Sequence, residues 1–301
     1  MSEHSSPPRW LPFVVLGIGL CAVSCGAIFA RFAQGYGLPS LAIAALRLGL
    51  AALIITPMAL WQSRRALLAL NQRQALLTLG AGFFLALHFA TWISSLEYTS
   101  VASSTALVTT NLLWIGIASF VLFDEKPRWL MIVGMAVSIS GSVLIFWSDS
   151  STSTPGSNPL LGNFLALAGS WCFSAYLLIG RRLRADMPLT AYIWLAYGTA
   201  ALILVMACQV AGVSLIGYST PAYLVALGMA VGPQLMGHTA YNWSLKHVSS
   251  TFVAVVTLGE PVGSAALAWV FFGETFAFVQ GIGFVLLLAG IYLAARGEGR
   301  A

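Results

Sequence analysis

FDEKPRW, residues 123–129, has a counterpart 149 positions later in FGETFAF, residues 272–278. Both segments follow a long apolar run, carry Glu at their third position and end on an aromatic residue. The same offset pairs further residues without a gap: Pro39 with Pro188, Gly49 with Gly198, Ser95 with Ser244, Ser100 with Ser249, Gly134 with Gly283 and Gly141 with Gly290. The sequence therefore predicts two structural repeats.

The composition indicates a membrane protein. The 301 residues are 59% hydrophobic and only 8% charged, with a mean hydropathy of +0.88, whereas soluble domains carry roughly 25% charged residues. A helix needs about 20 apolar residues to cross the bilayer. Ten stretches qualify: 11–32, 40–61, 75–96, 100–122, 129–147, 160–180, 189–212, 221–243, 249–271 and 276–295. Continuous apolar runs favour helices over barrel strands, which alternate.

The predicted fold is an all-α integral membrane protein of two repeats with five spans each. Residues 1–147 form the first repeat and residues 160–301 the second, while the polar residues 148–159 predict an exposed linker. Because five is odd, the second repeat must enter the bilayer inverted relative to the first, as in many secondary transporters.

The charge distribution supports the inversion and orients the chain. Twelve of the 14 Lys and Arg residues fall on alternate connections, and such residues favour the cytoplasmic side. Both termini are therefore predicted to be cytoplasmic. The segments at 123–129 and 245–249 carry Lys or Arg and are predicted inside, whereas their counterparts at 272–278 and 96–100 carry neither and are predicted outside. The net charge of +5 serves orientation and gives no indication of a nucleic-acid partner.

Enzymatic, metal and cofactor sites find no support in the sequence. All three aspartates lie in predicted loops, and no paired acid and base appears. The four cysteines lie inside predicted spans; Cys21 and Cys25 share a helix face, but no His or carboxylate lies nearby, which argues against a metal site and favours small packing residues. We expect no cofactor, and we expect a monomer.

The repeated Glu (Glu125, Glu274) after the fourth span and the two glycines seven residues apart in the fifth resemble the EamA-type repeat of the drug/metabolite transporter superfamily. The resemblance covers essentially the whole chain. It implies a ten-helix bundle with a central cavity, alternating access, and export of small metabolites across a bacterial inner membrane. Within the superfamily the chain is similar to bacterial aromatic amino-acid exporters.

Glu260 is the deepest ionisable residue, near the middle of the ninth span. Such a residue costs roughly 2.5 to 3.5 kcal/mol to insert and usually faces an aqueous cavity or a partner. Thr257 and Ser264 share its helix face, and Pro261 should kink the helix by clashing with the Thr257 carbonyl. We interpret Glu260 as a substrate or proton site; the alternative is a buried Glu bonded to a neighbouring helix. In the first repeat Asn111 takes its place.

Polar and aromatic residues recur at helical spacing in the third and eighth spans. In the eighth, Gly232 and Pro233 predict a kink beside Gln234, His238 and Tyr241. In the third, His88, Trp92 and Ser95 share one face. Because the offset exchanges Trp92 with Tyr241 and Asn111 with Glu260, we predict a shared substrate cavity. The alternative for each residue is an ordinary interhelical hydrogen bond, worth about 0.6 kcal/mol.

Three more aromatic residues and one arginine complete the candidates. Trp114 and Trp171 lie near mid-span, and Tyr176 shares the sixth span with Trp171. They could stack on a substrate or provide packing or lipid-facing bulk. Arg47, inside the second span, could pair with a buried carboxylate, bind a substrate carboxylate or snorkel to a head group; we favour pairing.

These features favour a secondary transporter for amino acids with aromatic or apolar side chains. Glu260 would hold the substrate ammonium, and Asn111, Gln234 or His88 would donate to its carboxylate. An exporter of organic cations with Glu260 as the counter-ion is the alternative. Glu260, His88 and His238 could also carry protons, so both proton-coupled and facilitated movement stay open.

Overall fold

The structure, a computed structural model, describes residues 8, 10–123, 127–149, 158–273 and 278–297. Most of the predicted linker, together with Glu125 and Glu274, lies outside these residues. All regular structure in the described ranges is helical. The helices are α1 (Leu11–Ser24), α2 (Gly26–Gly35), α3 (Ser40–Gln62), α4 (Arg64–Leu68), α5 (Gln72–Ser95), α6 (Val101–Val108), α7 (Asn111–Phe123), α8 (Trp129–Asp149), α9 (Pro159–Arg184), α10 (Leu189–Val210), α11 (Thr220–Met229), a π-helix (Ala230–His238), α12 (Thr239–Ser244), α13 (Ser250–Thr257), α14 (Glu260–Phe272) and α15 (Phe278–Gly297).

The described part of the chain contains seven helical segments long and apolar enough to cross a bilayer. Two shorter apolar helices, Trp129–Leu144 and Gly281–Ala294, coincide with the predicted fifth and tenth spans. The predicted eighth span corresponds to the consecutive α11, π-helix and α12. The chain is therefore a multi-pass membrane protein whose described part is all-helical.

Helices at equivalent positions of the two repeats pack against each other. Gly134 of α8 lies against Gly290 of α15, and Gly141 of α8 lies against Gly283. Higher residue numbers in α8 contact lower residue numbers in α15, so the two helices run antiparallel. These small residues permit close backbone approach, and Ser138 Oγ donates to the Leu287 carbonyl at 3.3 Å. The equivalent helices α3 and α10 also pack together, and the contact of α5 with α9 recurs between the π-helix and α1.

Several membrane helices are interrupted near their middle. The breaks at Thr109–Thr110 and at Leu258–Gly259 correspond under the 149-residue offset. Pro261 follows the second break as the second residue of α14, which confirms the kink predicted from its clash with the preceding turn. At the first break, Thr109 and Thr110 donate hydrogen bonds to carbonyls of their own helix, an interaction that bends helices.

Pro233 has a different effect from the simple kink predicted for it. It lies inside the nine-residue π-helix, where the hydrogen bonds run from residue i to i+5 and each turn holds an additional residue. π-helices occur frequently at functional sites. The interrupted and π-helical segments meet in the interior, and there they surround a cavity.

Candidate functional site

A polar cavity lies between the interrupted helices of the two repeats. Its lining includes six of the residues predicted from the sequence: His88, Trp92, Asn111, His238, Tyr241 and Glu260. The cavity volume is only about 20 Å³, enough for about one water molecule. A larger ligand could enter only if the surrounding helices move apart.

The two helix breaks place Asn111 and Glu260 at the cavity. Asn111 is the first residue of α7 and Glu260 the first residue of α14. Asn111 is fully buried, and its Oδ1 lies 3.4 Å from Thr257 Oγ1 of α13. The partly buried Glu260 carboxylate has neither a hydrogen bond nor an ion pair with any residue that the structure describes. It therefore presents an acceptor without a hydrogen-bond partner to the cavity.

Arg47 of α3 supplies the opposite charge. Its side chain is 1% exposed and lines the same cavity as Glu260. Arg47 Nε donates to Gln234 Oε1 at 2.8 Å, and its guanidinium carbon lies 4.0 Å from the centroid of the Phe89 ring, within the range of a cation–π interaction. The sequence favoured pairing with a buried carboxylate. Among the described residues, no carboxylate oxygen lies within 4.0 Å of the Arg47 guanidinium nitrogens. The guanidinium instead contacts the Gln234 amide and the Phe89 ring.

Several buried polar atoms of the cavity residues have no hydrogen-bond partner in the described part of the chain. They are Arg47 Nη1, Trp92 Nε1, Asn111 Nδ2, His238 Nδ1 and Tyr241 Oη. A buried unpaired donor costs about 1 to 3 kcal/mol, and such groups are rare in folded proteins unless water or a ligand satisfies them. Their concentration around one cavity leaves several hydrogen-bonding positions there for water or for a ligand rich in acceptors.

Aromatic rings form one wall of the site. The His88 ring is parallel to the Trp92 ring, with centroids 6.1 Å apart, and lies 4.7 Å from the Phe173 ring. His88 Nδ1 donates to the Gly169 carbonyl at 3.0 Å, which fixes the orientation of the imidazole. The His238 ring lies 5.4 Å from Phe173. The ring faces of this aromatic wall could pack against an apolar part of a ligand.

The structure places the other predicted site residues outside the cavity lining. Gln234 does not line the cavity; it accepts the hydrogen bond from Arg47, and its own Nε2 is unpaired among the described residues. Tyr176 is buried, and its hydroxyl accepts from Asn242 Nδ2 at 2.6 Å. Trp114 and Trp171 are 40% and 45% exposed and pack edge to face with each other, with centroids 5.9 Å apart.

Two aromatic residues at the site were not among the sequence candidates. Phe89 supports Arg47, and Phe173 contacts His88 and His238. Neither carries a signal in a chain with 17 Phe residues. Arg47, by contrast, could be singled out from the sequence, because an arginine deep inside a membrane span is costly and therefore needs a partner or a function.

Comparisons with known proteins agree with this architecture. A family model described as EamA-like transporter family matches residues 9–147 and again residues 160–296. The Threonine/homoserine exporter RhtA of Salmonella typhimurium (strain LT2) is 28% identical over 299 residues, covering 97% of this chain and 92% of the relative. An uncharacterized transporter of Archaeoglobus fulgidus is 23% identical over 96% of this chain and 98% of its own length. A solved crystal structure superposes with a TM-score of 0.76 over 96% of this chain and 98% of the other at 19% identity, which shows a shared fold.

Proposed function

Because the chain belongs to the EamA-like transporter family, we propose that it is a secondary transporter that exports amino acids from the cytoplasm through the cavity at Glu260. One observation carries the proposal: a buried cation, a carboxylate and several unpaired donors line the same enclosed space. An amino acid carries the complementary groups, an ammonium and a carboxylate. The similarity to exporters named for threonine and homoserine supports the same substrate class.

The side-chain preference is the finer part of the proposal. The wall formed by His88, Trp92 and Phe173 favours an aromatic or apolar side chain, whereas the named relatives handle small hydroxylated amino acids. Both classes therefore belong in the substrate panel. Asn111, His88, Trp92, His238 and Tyr241 are the proposed binding residues around Glu260.

The proposed mechanism is alternating access between two inverted repeats of five helices each, in a bacterial inner membrane with both termini in the cytoplasm. The antiparallel packing of α8 against α15 and the alternation of basic connections support the inversion. The small volume of the cavity requires that helices move apart to admit cargo, and rocking of the repeats would open each side in turn.

Cysteine labelling tests the inversion at two exposed, equivalent positions, Glu97 and Lys246. In a background without the four native cysteines, Glu97→Cys should react with a membrane-impermeant maleimide in intact cells, because it is predicted to face outward. Lys246→Cys should react only after the membrane is permeabilised. Labelling of both from the same side would contradict the inverted arrangement.

Uptake by proteoliposomes tests the function. Purified protein should carry labelled L-threonine or L-phenylalanine into vesicles. An excess of the same amino acid without the label should abolish uptake of the label. Measurement with and without a pH gradient separates proton-coupled from facilitated movement. Transport of no amino acid in the panel would contradict the proposal.

Export of organic cations is the second candidate, because the Glu260 carboxylate is without a partner among the described residues. Tetraphenylphosphonium and a quaternary ammonium compound in the same panel test it. The buried Arg47 argues against this candidate, since a second cation in the cavity would be repelled by it.

A further inference from the structure

We propose that Arg47 is the receptor for the substrate carboxylate, so that the transporter accepts only cargo carrying both a free carboxylate and an ammonium. The inference rests on the proposed function and assigns to Arg47 the part of the site that selects the substrate class.

Arg47 is held in place by groups that leave part of its guanidinium free. Gln234 Oε1 accepts from Nε, and the Phe89 ring covers the guanidinium carbon. Nη1 is buried without a partner among the described residues. A purely structural arginine would use its donors on the protein, as Arg184 does by donating to the Asn242 and Met187 carbonyls. Arg47 is thus oriented in advance for an acceptor that the protein does not provide.

Charge balance in the cavity favours a zwitterion over an ion of either sign. Arg47 and Glu260 line the same space and interact electrostatically, yet they form no ion pair within 4.0 Å. A cation could satisfy Glu260 but would leave Arg47 unpaired, and an anion would do the reverse. Leaving one buried charge uncompensated is strongly unfavourable. An amino acid compensates both because its carboxylate and ammonium are attached to one carbon.

The unpaired donors extend the carboxylate site beyond Arg47. Trp92 Nε1 and Tyr241 Oη are both buried without partners in the described ranges, and the two residues occupy equivalent positions under the 149-residue offset. A carboxylate has two oxygens with about four acceptor positions, enough to accept from Arg47 Nη1 and from further donors of the same lining. A carboxamide replaces one acceptor oxygen with an amino group and removes the charge.

Paired probes that share a side chain test the proposal in proteoliposomes. L-threonine is compared with L-threoninamide, and L-phenylalanine with L-phenylalaninamide. The intact protein should transport the acids at least tenfold faster than the amides. In Arg47→Gln, acid transport should fall roughly 10- to 100-fold, as expected for loss of a charged hydrogen bond, and the ratio of acid to amide transport should approach one.

Arg184→Gln is the matched control. It removes another buried arginine, whose donors go to backbone carbonyls outside the cavity, so it should leave the acid-to-amide ratio unchanged even if it lowers thermal stability. Arg47→Lys keeps the charge and should recover part of the ratio. Arg47→Lys also provides the test if Arg47→Gln does not fold. An acid-to-amide ratio in Arg47→Lys equal to that of the intact protein would then count against a specific contact between the guanidinium and the carboxylate.

The outcomes separate this inference from the proposed function. Transport of acids and amides at equal rates by the intact protein would overturn the role of Arg47 but leave an amino-acid transporter. An unchanged ratio in a folded Arg47→Gln variant would do the same. If no amino acid is transported, both proposals are wrong.

Discussion

Replacing Glu260 with Gln is expected to lower amino-acid transport roughly 10- to 100-fold while the protein stays folded. The amide has the shape of the carboxylate but lacks its charge, so a charge-assisted hydrogen bond to the substrate ammonium is lost. Such a bond is worth about 1.5 to 3 kcal/mol, and about 1.4 kcal/mol corresponds to a factor of ten. Folding should survive because no described residue bonds to this carboxylate. Initial uptake rates in proteoliposomes measure the effect.

Glu97→Gln provides the control for the same chemical change elsewhere. Glu97 accepts a hydrogen bond from Ser40 Oγ and does not line the cavity, so its replacement should leave uptake unchanged. Comparison of both variants with and without a pH gradient also shows whether Glu260 is needed for proton coupling. If Glu260→Gln transports every substrate at the original rate, the carboxylate is not part of the binding site.

The positions of the helices could be predicted from the sequence where apolar runs end at strong local signals. The second and seventh spans were predicted to begin at residues 40 and 189, and α3 and α10 begin there, immediately after Pro39 and Pro188. The break before α14 followed from Pro261. The break before α7 did not, because hydrogen bonds from Thr109 and Thr110 to their own helix depend on rotamers that the sequence does not specify.

The membership of the site was predictable where a residue's cost in the membrane demanded an explanation. Glu260 was identified in this way, and Asn111 as its counterpart under the 149-residue offset; both line the cavity. Helical spacing was less reliable. Gln234, His238 and Tyr241 share a face in a regular α-helix, but the π-helix alters the register. His238 and Tyr241 line the cavity, whereas Gln234 does not and bonds to Arg47 instead.

The direction in which an aromatic residue faces around its helix could not be predicted. Trp114 and Trp171 lie near mid-span, as a substrate-stacking residue would, yet they contact each other and are partly exposed. In a helix that is apolar on every side, the sequence does not distinguish the face toward the cavity from the face toward lipid. Only the packing of neighbouring helices decides this.

Gly290→Ala is expected to destabilise the protein by about 1 to 3 kcal/mol, the usual cost of inserting a methyl group into a packed interior. A Cβ at this position would overlap the Gly134 carbonyl and the backbone of Ser138, and rigid helix backbone cannot move aside as a flexible side chain can.

Gly281→Ala is the matched control on α15, because nothing lies within 4 Å of the Cβ that it adds. Both changes improve helix propensity, by up to about 1 kcal/mol, so a difference between them isolates the contact of α8 with α15. Thermal unfolding in detergent should show a lower midpoint for Gly290→Ala and an equal or higher midpoint for Gly281→Ala. Equal midpoints would mean that α8 and α15 do not approach closely in the folded protein, and the packing support for inverted repeats would be lost.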